Sequence, residues 1–342
     1  MTRVQTVTGT IEHTELGLVL PHEHLANDLT GAYTPAPDQN IRELLEGPVT
    51  AELAWLLREH PYNSRDNCGL TDADAIVEDL RSFRSMGGRT VIDLTPPGLG
   101  RNPAALKAYS VAADVNVVMG SGSYLQKFQS PAELSASEEE LTALIMEDFQ
   151  RDGIKPGVIG EIGVSPLFTV AEEKSLRAAA QAQKTLGVPL FIHLPGWMRL
   201  GHRILDIVLD EIGVRPEAVV LCHMDPSFDD PQYQDELAAR GAYLCFDMIG
   251  MPYNFASEGA SPSPAQAADA IARLIEGSHH ERIMLSHDVF LKGMLTRYGG
   301  NGFSYVPFAF PQRLLERGIS VEHIAGIMRD NPAALFHNAR TS

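Results

Sequence analysis

In the segment Leu16–His24, LGLVLPHEH, an apolar run passes directly into a His-x-His pair. A run of Leu and Val without polar alternation belongs to a strand covered on both faces, the habit of parallel strands. In an extended chain residues i and i+2 share a face, so His22 and His24 point one way and Glu23 the other. Two imidazoles side by side at a strand end are half of a metal site.

The same unit recurs along the chain. Leu16–Leu20 is followed by apolar or β-branched runs at Thr90–Leu94, Val115–Met119, Val158–Ile162, Pro189–His193, Val219–His223, Ala242–Asp247 and Ile283–His287. Between them lie helical patterns at Asp72–Ser85, Pro103–Ala113, Ser137–Arg151, Ala171–Leu186, Leu200–Ile212, Gln232–Ala239 and Pro264–Glu276. A closing pair, Phe310–Arg317 and Val321–Asp330, follows the last run. Eight strands alternating with helices predict an α/β fold, a (β/α)8 TIM barrel rather than an open sheet. Such a barrel takes ~250 residues. The 342 present leave long loops over its C-terminal face. The main candidates are Asn27–Leu70, with one helical piece at Ile41–Glu59, and the glycine-rich Tyr298–Phe308. No low-complexity linker divides the chain, so residues 1–342 are expected to form one domain.

Composition narrows the function. Hydrophobic residues make up 44% and charged residues 21%, ordinary for a globular protein with a sizeable core. The 44 acidic residues against 27 basic ones give a net charge of −17, which repels phosphate backbones and anionic lipid. Neither nucleic acid nor membrane is an expected partner. The three cysteines, Cys68, Cys222 and Cys245, cannot build a disulfide framework and fit a reducing compartment. The opening MTRVQTVTGTIEHTE has no apolar signal core, and no run of about 18 apolar residues occurs. The expected location is the cytoplasm. The expected partners are a small-molecule substrate and, in a homodimer, a second copy of the chain.

Other runs end as the first does. Gly160-Glu161-Ile162-Gly163 closes the fourth, His193 the fifth, His223 the sixth and Ser286-His287-Asp288 the eighth. In a barrel these ends converge on the catalytic mouth, where a buried carboxylate needs a partner or a metal. His22, His24, Glu161, His193, His223 and Asp288 suffice for two divalent ions, a recurrent device of hydrolysis. Zinc suits the set, and manganese, cobalt or iron(II) also accept it. Alternation turns His287 away from the ions. Asp247, at another strand end, either contacts substrate or orients a histidine. Asp93 and Arg101 read as supports rather than catalytic groups. Cys222 and Cys245 lie in apolar strands and behave as small hydrophobes.

On these stretches the chain resembles the phosphotriesterase-related branch of the amidohydrolase superfamily, including its bacterial members named for resiniferatoxin binding. The matching segments are LGLVLPHEH, TVIDLTPPGLGR (Thr90–Arg101), VIGEIG (Val158–Gly163), Phe191-Ile192-His193, Leu221–His223, Phe246–Gly250 and Ser286-His287-Asp288. The likeness runs to Asn331-Pro332, essentially the whole chain. It implies that His22, His24 and Asp288 hold the more buried metal, and His193 and His223 the more exposed one. Glu161 would bridge them, where many relatives carry a lysine carboxylated by carbon dioxide. The nearest lysine, Lys155, precedes the strand and falls towards the wrong end of the barrel. A bridging hydroxide would attack, with Asp288 as ligand and base.

The loops decide the substrate. Tyr124, Trp197, Met251, Tyr253 and Tyr298, beside Met224 and Tyr305, are expected to form a moderately apolar wall, with Arg297 as an anionic anchor. The expected reaction is cleavage of a carboxyl-type bond: a lactone, ester or amide. Phosphotriester hydrolysis is the alternative, because the same hydroxide attacks phosphorus. A non-catalytic binding barrel is a third reading, and a full ligand set plus a base speaks against it.

Overall fold

The computed structural model describes residues 2–340; Met1, Thr341 and Ser342, at the ends of the expected domain, lie outside the described residues. Its strands are β1 (Arg3–Thr6), β2 (Gly9–Glu12), β3 (Leu18–Glu23), β4 (Gly88–Asp93), β5 (Asn116–Met119), β6 (Ile159–Gly163), β7 (Leu190–His193), β8 (Val219–Leu221), β9 (Tyr243–Phe246), β10 (Asn254–Phe255), β11 (Gly259–Ala260) and β12 (Ile283–Leu285). Parallel pairing joins β3–β4–β5 and, separately, β6–β7–β8–β9–β12. Isolated hydrogen bonds, rather than paired strands, close the two seams. At one, Asp288 N donates to His22 O (3.2 Å) and His24 N to Val289 O (3.2 Å). At the other, Gly157 N donates to Met119 O (2.8 Å) and Gly160 N to Ser121 O (2.7 Å). The result is the expected TIM barrel.

Alternation sorts each run between two cores. Val19, Ile92, Val118, Phe191, Val220 and Met284 pack together inside the barrel. Their neighbours Leu20, Val91, Val117, Ile192, Leu221 and Leu285 pack outward against the helices. The helices begin where side chains cap free amides. Ser137, Thr169 and Ser263 each form a capping box with the residue three positions on.

Two irregularities place the chemistry. The register of β3 against β4 shifts between Leu20 and Glu23, and that of β6 against β7 between Ile159 and Ile162. Strict alternation from Val19 and Val158 would turn His22 and Glu161 outward. A bulge re-aims the chain, so both face the barrel axis.

Three features depart from the sequence reading. The antiparallel hairpin β1–β2 was absent from it, and Val4 of that hairpin packs with Leu16, Leu335 and Phe336 in the barrel core. The helical piece expected at Ile41–Glu59 is two helices, Gln39–Leu45 and Ala54–Glu59. Gly47-Pro48 stands between them, and proline removes a donor and pushes its predecessor out of the helical region. The third is the short hairpin β10–β11, which joins the roof over the mouth.

Candidate metal centre and pocket

The six expected donors meet at the C-terminal mouth. His22 leaves β3, Glu161 lies in β6, His193 ends β7, and His24, His223 and Asp288 follow β3, β8 and β12. Donor atoms of His22, His24 and Asp288 lie within 4.8 Å of one another, and so do those of His22, Glu161 and His223. Glu161 Oε1 is 2.8 Å from His193 Nδ1, 2.9 Å from His223 Nε2 and 3.5 Å from His22 Nε2. Asp288 Oδ1 is 3.1 Å from His24 Nε2 and 3.5 Å from His22 Nε2. Depth varies across the cluster: the His22 side chain is 0% exposed and that of His193 18%.

Supporting groups fix the rings. Asp247 is fully buried, and its Oδ2 accepts from His22 Nδ1 (2.8 Å) while Oδ1 accepts from His223 Nδ1 and His223 N (2.9 Å each). It therefore orients two histidines at once. His24 Nδ1 is paired with Thr95 Oγ1 (2.9 Å), a group the sequence reading missed. Glu23 points away, as its parity requires, and accepts from Ser286 Oγ, His287 N, His287 Nδ1 and Val289 N. His287 is thereby held outside the cluster and also accepts from Val306 N (2.8 Å). Asp93 accepts from the amides of Leu25 and Thr95, and Arg101 forms a two-pronged pair with Asp148; both are scaffold.

The cluster fits divalent cations. His22 Nε2 and Asp288 Oδ1 are buried and make no hydrogen bond. Orphaned buried polar atoms are costly unless something else binds them. Glu161, Asp247 and Asp288 bring three carboxylates into one buried space, so the site calls for positive charge. The imidazoles register that demand. Burial works against a charged His22, yet Asp288, Glu161 and Asp247 outweigh it and lift its pKa to about 9. His223 is likewise raised, against burial, chiefly by Asp247. Cys222 also approaches His22 and Asp247, but burial pushes its thiol far up and denies it thiolate character.

Beside the donors lies a cavity of about 600 Å³, the solvent-filled space at its mouth included. Tyr124 and Trp197 line it, and Tyr124 Oη reaches to 3.3 Å from His193 Nδ1. Met251 lines it too. Five expected wall residues lie elsewhere. Arg297 is paired with Asp72 and Glu78 beside the Ala73–Ser85 helix, and Tyr298 donates to Asp72, so neither reaches the cavity. Tyr253 lies behind the wall, its ring stacked on Phe255 at 6.3 Å. Met224 is buried beneath the mouth, and Tyr305 packs near Gly250. The wall instead includes Tyr62, Phe255, Glu258 and Phe290. Tyr62 lies in the long insertion and Phe255–Glu258 in the β10–β11 hairpin, where no strand period announces which side chain turns inward.

A barrel with histidines and carboxylates gathered at its strand ends is the frame of a metal-dependent hydrolase. Residues 2–336 match the model of the phosphotriesterase family, and the chain belongs to that family. It is 34% identical over 339 residues to an N-acetyltaurine hydrolase of Salmo salar, with 96% of each chain covered. It is similar to the crystal structure of a resiniferatoxin-binding protein from Rhodobacter sphaeroides, with a TM-score of 0.95, 42% identity, and 98% of this chain and 95% of that one covered. A mutant organophosphorus hydrolase from Deinococcus radiodurans gives a TM-score of 0.76 at 26% identity, covering 98% and 97%. The protein is thus a metal-dependent hydrolase. Among the described residues no helix is long and apolar enough to cross a membrane.

Proposed function

We propose that the protein is a binuclear hydrolase, one barrel domain from end to end, that cleaves a carboxyl-type bond of a small molecule, with the amide of an N-acyl compound as the leading case. The buried His22 Nε2 and Asp288 Oδ1, which make no hydrogen bond, carry the reading, since they stand among donors that form two close groups, His22–His24–Asp288 and His22–Glu161–His223, with His22 in common. His22, His24 and Asp288 would hold one ion, His193 and His223 the other, and Glu161 would bridge them. Bound there, two divalent ions, zinc by preference, supply the charge that acidifies water and polarises a carbonyl oxygen. The chain's own residues do the rest. Asp288, at the rim of the cluster, takes the proton from the attacking water and passes it to the leaving group. Asp247 keeps the Nε2 atoms of His22 and His223 aimed at the centre. The aromatic wall excludes bulk water from the reacting bond. The relatives named for N-acetyltaurine hydrolysis support an amide, while the organophosphorus hydrolase supports phosphotriester cleavage as a second reading. Three free buried cysteines support a cytoplasmic setting.

Elemental analysis of metal-replete protein, followed by a rate comparison across N-acetyl amides, esters, lactones and a phosphotriester, tests the reading. About two ions per chain and a higher kcat/KM on a carboxyl substrate than on the triester are expected. One ion or none overturns the binuclear centre, and a preference for the triester overturns the bond type.

A further inference from the structure

The relatives' named substrate carries a sulfonate, an anion at the far end from its amide. The cavity of this chain is built for the opposite charge. Among the described residues its lining contains no lysine and no arginine. The one cation expected there, Arg297, is committed to Asp72 and Glu78. Arg58 lines a neighbouring cleft with Met251 and Tyr253 and donates to Gly299 O.

What the wall does contain is aromatic rings and a carboxylate. Phe255, on the β10–β11 hairpin, stands at the centre of a ring cluster, with centroids 5.8 Å from Tyr62, 6.0 Å from Trp197 and 6.2 Å from Phe290. The hairpin is seated on the indole: a Cβ on Gly259 would fall 2.4 Å from Trp197 Nε1. At its turn, where Glu258 N donates to Phe255 O (3.1 Å), Glu258 faces the same cavity as the metal donors. Among the described residues no Lys, Arg or His lies within ion-pair distance of Glu258. Its charge is felt inside: after burial, Glu258 and Asp288 push the Tyr62 hydroxyl above its ordinary range. Ring faces attract cations and repel anions, and an adjacent carboxylate completes the preference.

We propose that the substrate is an acylated amine whose far end bears an ammonium group, held among Tyr62, Trp197 and Phe255 with Glu258 as its counter-ion. The inference rests on the hydrolase reading and names its substrate class. The step consumes one water: its oxygen joins the acyl carbon, the C–N bond breaks, and both of its protons end on the leaving nitrogen, which departs as an ammonium group. A carboxylate and a diamine are released.

The test compares three N-acetyl amides on the metal-replete enzyme: N-acetyl-1,4-diaminobutane, N-acetylbutylamine and N-acetyltaurine, followed by amine release. The expected order of kcat/KM is cationic, neutral, anionic. Glu258→Gln should lower the cationic-to-neutral ratio about tenfold, and Glu258→Lys should favour the taurine amide over the cationic one. Calorimetry with butyltrimethylammonium, which has no bond to cleave, supplies a readout independent of turnover. Its Kd should rise about tenfold in Glu258→Gln. A ratio and a Kd that do not move with Glu258, or a preference for the anionic amide in the unmodified protein, overturn the proposal. Absence of turnover on all three amides removes the amide reading, and the calorimetric comparison then still decides the cation site.

Discussion

Asp247 spends both carboxylate oxygens on imidazoles that come from different strands, His22 of β3 and His223 after β8. Burial opposes its charge, but His223 and His22 overcome this and hold its pKa well below the usual carboxylate range. An amide in its place keeps one acceptor and turns a donor towards the other ring. Asp247→Asn is therefore expected to keep the fold and weaken metal binding about 10- to 100-fold, measured by competition with a chelator. Asp288 differs because the proposed reaction uses it as the base. Asp288→Asn should fold normally yet lower kcat about 100- to 10,000-fold, and near-normal turnover would remove it from its role as base. His223 and Asp288 both sit in left-handed backbone, φ 59° and 54°. That conformation costs on the order of 1–3 kcal/mol for a non-glycine residue, and such strain collects at functional sites. The strand-end donors were legible because a histidine or carboxylate closing an apolar run is conspicuous. Thr95, a lone hydroxyl just past the end of β4, was not, nor were Tyr62 and Glu258, which line the cavity from the insertion and the β10–β11 hairpin, where no local period tells which side chain turns inward.

The seams between strands show how much of the barrel depends on close backbone approach. At Gly120, a Cβ would fall 2.2 Å from Gly160 O and 3.2 Å from Asp93 O. Both are backbone atoms and cannot step aside without opening the contact between β5 and β6. Gly120→Ala should destabilise the protein by about 2–4 kcal/mol, read as a lowered Tm. Gly47→Ala is the matched control, because its added Cβ meets open space, and it should leave Tm nearly unchanged. Strands were readable where both faces are apolar, as in Thr90–Leu94 and Ala242–Asp247. The hairpin β1–β2 escaped because its eight residues are half exposed and rich in threonine, so neither period dominates. The insertion helix was overextended because the apolar spacing of Ile41–Glu59 was weighed above the break at Gly47-Pro48.

Taken whole, the chain places a strongly acidic body around a site that itself demands cations. Ions that bind only the folded form stabilise it, by about 4 kcal/mol when present at a thousand times Kd. Treatment with a chelator should therefore lower Tm, and metal alone should restore both Tm and activity. Added bicarbonate should change neither, because Glu161 is anionic without modification, unlike a lysine. Reconstitution that depends on bicarbonate, or a Glu161→Gln protein that binds its full complement of metal, would count against a bridging Glu161. The barrel also separates two inheritances. The cation donors ride on or directly after strands locked by seams and cores, whereas the roof over the cavity is a short hairpin seated on Trp197 and joined to the barrel by ring contacts. Duplicated genes can diverge in diet by rewriting residues 253–260 while selection for foldability holds the strands constant. A laboratory library confined to that span samples new substrates without touching the machinery that attacks them.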